Sequence, residues 1–183
     1  MLTKRDAILD AATRLFSKKP YHLVAMDDIA KKAKVAKGTL YYHFRSKEDL
    51  YVALLQEGID NLLLKLKTES SGMNALENLQ LFITRLAEFF IEKKDFFEVL
   101  KREEGNLFSK KLKNCFEKAC SVKDLLHTLL TRGIAEGHLR GNLDVQATSQ
   151  IILGMIKSSV NGTIEAKKLA DTIFDILLHG VKA

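Results

Sequence analysis

The sequence has one proline and no tryptophan among its 183 residues, and its ten glycines are too few to separate many short strands. A β-rich domain of this size needs frequent turn residues between its strands. The composition therefore excludes an all-β sandwich or barrel and favours an all-α chain. With 46% hydrophobic residues, the chain is also too apolar to be intrinsically disordered.

Cysteine is nearly absent as well, with two residues in the chain. Cys115 and Cys120 are five positions apart, which places them on different faces of a helix, and neither belongs to a C-x-x-C pair. This spacing excludes the redox and zinc sites that are built on such pairs. We expect both cysteines to be small buried hydrophobic residues in a reducing cytoplasm, with no metal and no cofactor bound.

Other signals are missing too. The sequence has no run of about 18 uncharged apolar residues, so it predicts no membrane span. Its first residues lack the apolar core of a secretion signal, which favours a cytoplasmic location. We find no glycine motif for dinucleotides or phosphates and no recognisable catalytic pattern, and the carboxylates of Asp27-Asp28 and Glu103-Glu104 point about 100° apart on a helix. The sequence therefore predicts a protein that is not an enzyme.

The charge of the chain is distributed unevenly. Residues 1–50 contain 11 Lys and Arg against 6 Asp and Glu, whereas residues 51–183 contain 18 against 17. Nearly all of the formal net charge of +6 thus lies in the first quarter of the chain. A basic module on a near-neutral body indicates an acidic polymer as its partner. Charge alone fits a basic surface that only aids solubility equally well.

The apolar spacing of the first 46 residues predicts three helices. A capping box formed by Thr3 and Asp6 begins the first helix, and Pro20 follows its end. Two short helices are predicted over residues 27–34 and 37–44. These three helices make a compact basic unit, which we predict to be a domain of its own over residues 1–46.

A longer fourth helix begins after Ser46 and bridges this unit to the rest of the chain without a flexible linker. Residues 47–183 are predicted to form a helical regulatory domain. Its later helices are predicted near 74–92, 95–103, 109–136, 145–161 and 165–181. The sequence thus predicts an all-α fold whose two domains share one long helix, so that movement in the body can be passed to the basic unit.

The sharpest local motif lies in residues 27–47. Ile29, Val35 and Leu40 can pack the two short helices against the first one, which leaves the exposed face of the second free to enter a DNA major groove. That face presents cationic, polar and aromatic groups that can reach phosphates and base edges, and a glycine that allows close approach of the backbone. The candidate DNA-binding residues are Lys37, Gly38, Thr39, Tyr41, Tyr42, His43 and Lys47.

One pattern in this motif is Ile29-Ala30-x-x-Ala33-x-Val35-x-Lys37-Gly38-Thr39-Leu40-Tyr41-Tyr42-His43-Phe44-x-Ser46-Lys47-x-x-Leu50. It resembles the DNA-binding region of the tetracycline-repressor (TetR) family of transcriptional regulators. The resemblance implies a homodimeric, ligand-responsive repressor that leaves a palindromic operator in double-stranded DNA when a small apolar effector binds. The DNA-contacting positions of that family fall on the seven residues named above.

The sequence departs from the family pattern at four positions. Lys34 stands where the family usually has a glycine in the turn, and Pro20 where it has one after the first helix. Ala25 and Ala36 replace the usual Ser or Thr caps, and each loss costs about 1 kcal/mol of stability at a helix end. These departures affect the detail of the DNA contact and not the fold.

The resemblance also implies an effector pocket in the body of the protein, where large apolar side chains recur on three helices. The candidate lining residues are Leu55, Ile59, Leu62, Phe82, Leu86, Phe89, Phe90 and Phe116. Such a lining predicts a hydrophobic ligand. Ordinary core packing explains the same pattern, and the choice between the two stays open at the level of sequence.

The last two helices carry more apolar surface than two terminal helices need on one side. We expect them to form a four-helix bundle with their copies in a homodimer, the alternative being burial of both helices within the monomer alone. The small residues Gly154 and Ser158, four positions apart, permit close helix approach. The candidate interface residues are Ile151, Ile152, Met155, Ile156, Leu169, Ile173, Ile176 and Leu177. A rival hypothesis for the whole chain is an architectural DNA-binding protein without a ligand.

Overall fold

The computed structural model describes residues 3–67, 72–103, 110–159 and 164–179. Within these ranges the chain forms α-helices joined by short connections, which confirms the predicted all-α fold. Predicted and observed helix ends agree to within two residues, and the predicted ends at 109, 161 and 181 lie outside the described residues. The helices are α1 (Lys4–Phe16), α2 (Met26–Ala33), α3 (Lys37–His43), α4 (Lys47–Leu66), α5 (Ala75–Glu92), α6 (Lys94–Glu103), α7 (Lys110–Ala135), α8 (Val145–Ser159) and α9 (Ala166–His179), with a 3-10 turn at Tyr21–Leu23 between α1 and α2.

The chain divides into two compact units. The first consists of residues 1–60 and 95–118, and the second of residues 61–94 and 119–183. The boundary predicted near residue 46 falls at the start of α4, whereas the first compact unit continues along that helix to residue 60. The first turns of α4 carry buried side chains such as Leu50 and Tyr51, and the ring of Tyr51 packs on Phe16 of α1.

Helix α1 begins at the predicted capping box. The Asp6 amide donates to the Thr3 hydroxyl over 3.1 Å, and the Thr3 amide donates to an Asp6 carboxylate oxygen over 2.9 Å. These hydrogen bonds satisfy two otherwise free amides at the helix start and hold the pKa of Asp6 below its ordinary value. The helix ends at Phe16, four residues before Pro20.

An aromatic cluster holds α1, the 3-10 turn and α4 together in the first unit. The ring of Tyr51 lies edge-on to Phe16, with centroids 4.7 Å apart, and edge-on to Tyr21 at 5.0 Å. Phe16 and Tyr21 stack at 5.8 Å. Three mutually packed rings fix the start of α4 against the helices before it.

In the second unit, α5 packs against α8 and α9, and α8 packs against α9. A second capping box begins α5, because Asn74 and Glu77 exchange side-chain and amide hydrogen bonds, each 2.9 Å long. The helix is buried along most of its length, with Leu79, Ile83 and Leu86 at 0% exposure. In the described part of the chain, no helix has both the length and the apolarity needed to cross a bilayer.

The two cysteines lie on different faces of α7, as their spacing predicts. Cys115 is buried, and this burial raises the pKa of its thiol. Cys120 is exposed, so the expectation that both would be buried is wrong for this residue. A five-residue step on a helix turns the second side chain well away from the first, so one of the two faces solvent.

Candidate nucleic-acid interface

Helices α2 and α3 meet across a turn at Lys34. This residue has φ 56° and ψ 41°, which is the left-handed conformation that glycine adopts without cost. The turn is closed by the amide of Val35, which donates to the carbonyl of Ala30 over 3.1 Å. The side chain of Lys34 therefore does not prevent the tight turn between the two helices.

The inner face of α3 is anchored in the core of the first unit. Leu40 is fully buried, as are Ile8 on α1 and Ile29 on α2, and the three helices contact one another. Phe44 directly after the helix is also buried. Because α3 has only seven residues, this packing rather than helix propensity keeps it formed.

Of the six DNA-binding candidates on α3, four are exposed and two, Thr39 and His43, are half-buried, and we call these six residues together the outer face. Tyr42 is 84% exposed, and its ring lies edge-on to His43 with centroids 5.3 Å apart. Tyr41 is exposed, and a Cβ on Gly38 would meet no atom within 4 Å. The outer face comprises Lys37, Gly38, Thr39, Tyr41, Tyr42 and His43.

The lysine at the start of α3 is not free. The Nζ of Lys37 lies 2.8 Å from Oδ1 and 3.0 Å from Oδ2 of Asp27 on α2. The hydrogen bond to Asp27 and the negative charge of Asp27 raise the pKa of Lys37, a side chain that is cationic at neutral pH even at its ordinary pKa. The sequence pattern gave no sign of this pair, because the two residues are ten positions apart on different helices.

Lys47, the seventh DNA-binding candidate, makes internal contacts that sequence reasoning missed. Its Nζ donates to the carbonyls of Tyr21 and Val24, both over 2.9 Å, and lies 4.4 Å from the centre of the Tyr21 ring. An ammonium group has three donors, so one is left for a phosphate. Lys47 thus ties the connection before α2 to the start of α4.

Helix α4 starts as expected, with the Asp49 amide donating to the Ser46 hydroxyl over 3.0 Å. A further link was not predicted. Arg5 on α1 donates to Glu57 on α4 over 2.6 Å, and its guanidinium carbon lies 5.6 Å from the centre of the Phe44 ring. Arg5 therefore connects α4 to the residue that follows the outer face.

The N-terminal unit is thus a helix-turn-helix whose second helix, α3, presents cationic and aromatic side chains to solvent. Comparison with known proteins identifies the family. Residues 8–54 match the family model of bacterial regulatory proteins of the tetR family, and residues 72–181 match that of tetracyclin repressor-like C-terminal domains. The second match alone covers more than half of the chain. The chain belongs to the TetR family. It is a DNA-binding transcriptional regulator and not an enzyme, as the sequence predicted.

Relatives of this TetR-family regulator cover nearly its whole length. The fatty acid metabolism regulator protein of Bacillus subtilis is 27% identical over 183 residues, which cover 95% of this chain and 93% of that protein. The solved structure of the ketosteroid transcriptional regulator KstR2 of Mycobacterium tuberculosis is 25% identical with a TM-score of 0.86, over 100% of this chain and 97% of that one. The FadR regulator of Bacillus subtilis, solved in complex with stearoyl-CoA, is 26% identical with a TM-score of 0.73, over 96% and 98%.

The candidate pocket residues of the regulator are packed as core. Seven of the eight are between 0% and 5% exposed, and the side chain of Phe116 lies outside the described residues. In the second unit, a cavity of about 70 Å³ is lined by parts of α4, α5 and α7, and Phe82 belongs to its lining. Ligand pockets are commonly about 300–1,000 Å³. This cavity is too small for a drug-sized or acyl ligand in the conformation described here.

The candidate dimer residues of the regulator fall into two groups. Ile152, Ile156, Leu169 and Ile173 are buried within the chain itself. The other four are exposed or half-buried: Ile151, Met155, Ile176 and Leu177. The apolar periodicity of the sequence does not separate the two groups. A helix that packs on α5 and also carries an apolar stripe on its outer side shows one broad apolar pattern.

Gly154 and Ser158 on α8 are exposed beside Ile151 and Met155. These four positions are three or four residues apart and share one face of the helix. That face of α8 is open to solvent and carries small and apolar residues.

Proposed function

We propose that this regulator is a homodimeric repressor that binds a palindromic operator through the outer face of α3. The observation that supports it best is the division of α3 between its two faces. Leu40 is fixed in the core while Tyr42, two residues on, is 84% exposed. A large aromatic side chain held in solvent by a rigid anchor suits contact with base edges and phosphates in a major groove.

The homodimer is inferred from the two-fold symmetry of a palindromic operator. Two copies of α3 must lie about 34–36 Å apart to enter successive major grooves on one side of the duplex. The exposed stripe on α8 and the exposed Ile176 on α9 supply apolar surface for this association. Because operator DNA lies in the bacterial cytoplasm, we also propose a cytoplasmic location.

Selection of bound duplexes from a random DNA pool tests this proposal. Recovery of a palindrome with half-sites about 10 base pairs apart, or a multiple of that spacing, supports a two-fold symmetric complex. Recovery of asymmetric or unrelated sequences contradicts it. The same duplex then serves as the probe for variants of the outer face.

We further propose an apolar effector with an acyl chain. The support is the large apolar core of the body and the relatives named above, one of which was solved with stearoyl-CoA. The cavity beside Phe82 is where we expect the core to open. The effector must prefer the open conformation, since equal affinity for both conformations shifts nothing, and a tenfold preference needs about 1.4 kcal/mol.

Thermal denaturation and DNA binding together test the effector. Stearoyl-CoA is expected to raise the melting temperature and to weaken the operator complex, whereas coenzyme A without the acyl chain does neither. By thermodynamic reciprocity, operator DNA must weaken stearoyl-CoA binding by the same factor. If no apolar compound in such a screen binds, the alternative of an architectural DNA-binding protein without a ligand is favoured.

A further inference from the structure

The pair formed by Lys37 and Asp27 lies at the edge of the outer face of α3. Lys37 is the first residue of α3, and Asp27 lies in the first turn of α2. Their side chains are 62% and 64% exposed, so both are open to solvent and to an approaching duplex. The cation that stands at the start of the DNA-binding helix therefore already has a carboxylate as its partner.

A DNA phosphate and the Asp27 carboxylate need the same ammonium group. A lysine that contacts a phosphate displaces a counterion from the duplex, which is the main source of sequence-independent affinity. When the lysine is already paired with a carboxylate, breaking or sharing that ion pair offsets part of the gain in binding free energy. An uncompensated carboxylate also stays close to the phosphates after the pair opens.

We propose that Asp27 is a brake on DNA binding that acts through Lys37. By holding the ammonium of Lys37, Asp27 weakens the complex with any duplex and keeps the regulator easy to release. The proposal rests on the outer face of α3 being the DNA-binding surface. It assigns to Asp27 a role in tuning affinity and no direct contact with DNA.

The neighbouring Asp28 provides a matched control. It carries the same charge one residue further along α2 and is also exposed, but it points about 100° away around the helix. Among the described residues, no hydrogen bond or ion pair joins Asp28 to Lys37. Asp28→Asn therefore removes the same long-range charge as Asp27→Asn and leaves the ion pair in place.

The test measures the affinity of the full chain for a duplex of about 30 base pairs and arbitrary sequence, by fluorescence anisotropy at several salt concentrations. Asp27→Asn is expected to bind about two- to fivefold more tightly per bound chain than Asp28→Asn, which is the range for an exposed ion pair. Its salt dependence should be steeper by about one counterion per chain. Asp27→Glu should restore the affinity of the wild type, because a glutamate can still reach Lys37.

The decisive step introduces each of the two substitutions into a Lys37→Met background. There the difference in DNA affinity between Asp27→Asn and Asp28→Asn should disappear. Equal tightening by Asp27→Asn and Asp28→Asn, or a difference that persists without Lys37, overturns the brake. In that case a loss of affinity in Tyr42→Ala for a duplex recovered from the random pool would still support the outer face as the DNA-binding surface. If Lys37→Met and Tyr42→Ala both bind that duplex like the wild type, that surface is wrong and the brake fails with it.

Discussion

The ring of Phe96 on α6 lies directly against the backbone of Gly58 on α4. A Cβ placed on Gly58 would come within 2.1 Å of Cε2 of that ring. Phe96 is buried, so its ring has little room to move away. Glycine costs about 1 kcal/mol in a helix interior, and here this cost is offset by an aromatic ring packed on the helix backbone.

Gly58→Ala should therefore lower the free energy of unfolding by about 1–3 kcal/mol, although alanine is the better helix former. Gly38→Ala is the matched control, because a Cβ at that position meets no atom within 4 Å. It should leave stability unchanged or raise it by up to about 1 kcal/mol. Urea denaturation measures both. A Gly58→Ala protein as stable as the wild type would contradict the close contact.

Lys34 should be a site of stored backbone strain. Lys34→Gly is expected to raise the free energy of unfolding by about 0.5–1 kcal/mol, because glycine adopts a positive φ without steric cost. Lys34→Asn removes the same charge but keeps a Cβ, and asparagine tolerates this conformation better than lysine. Thermal denaturation should rank the three as Gly, Asn and Lys in falling stability. A wild type more stable than both variants would show that the turn carries no such strain.

The sequence was sufficient for the local features of the fold. The alternation between Leu40 inside and Tyr42 outside follows from helical periodicity, and the capping box at Thr3 and Asp6 follows from residue types three positions apart. Contacts between distant helices could not be predicted in this way. The contact of Gly58 with Phe96 depends on how helices pack, which a single sequence does not encode in any local pattern.

The candidate site shows the same division. The sequence identified the residues of the outer face, but it gave no sign that Asp27 pairs with Lys37 or that Lys47 donates to two carbonyls. It also could not separate apolar residues of α8 that face the core, such as Ile152, from those that face solvent, such as Ile151. The ion pair, the Lys47 contacts and the burial of each α8 side chain all depend on which neighbouring element packs against a given helix face.

Lys47→Met should destabilise the protein by about 1–3 kcal/mol, an effect that a role as a phosphate contact alone does not predict. The substitution leaves the carbonyls of Tyr21 and Val24 without their charged donor. Lys37→Met is the matched control, because its ion pair with Asp27 is exposed to solvent, which screens it, and so contributes little to stability. Urea denaturation in the absence of DNA compares them. Equal stability of the two variants would contradict a structural role for Lys47.

The two groups of candidate dimer residues should respond differently to a charge. Ile151→Glu, at a position 59% exposed, should give folded monomers, because it places a carboxylate in the proposed interface without disturbing the core. Ile173→Glu should unfold the protein, because it buries an unpaired charge. Light scattering and circular dichroism distinguish these results. A folded dimer in Ile151→Glu would exclude this face of α8 from the interface.

The most direct test of the outer face of α3 as the DNA-binding surface is the affinity of Tyr42→Ala for a duplex recovered from the random pool. Since Tyr42 is 84% exposed, the variant should melt like the wild type and still bind about tenfold or more weakly, as expected for loss of a specific groove contact. Ile164→Ala, an exposed apolar position outside the helix-turn-helix, serves as the control and should bind like the wild type. Wild-type affinity in both Tyr42→Ala and His43→Ala would contradict the account.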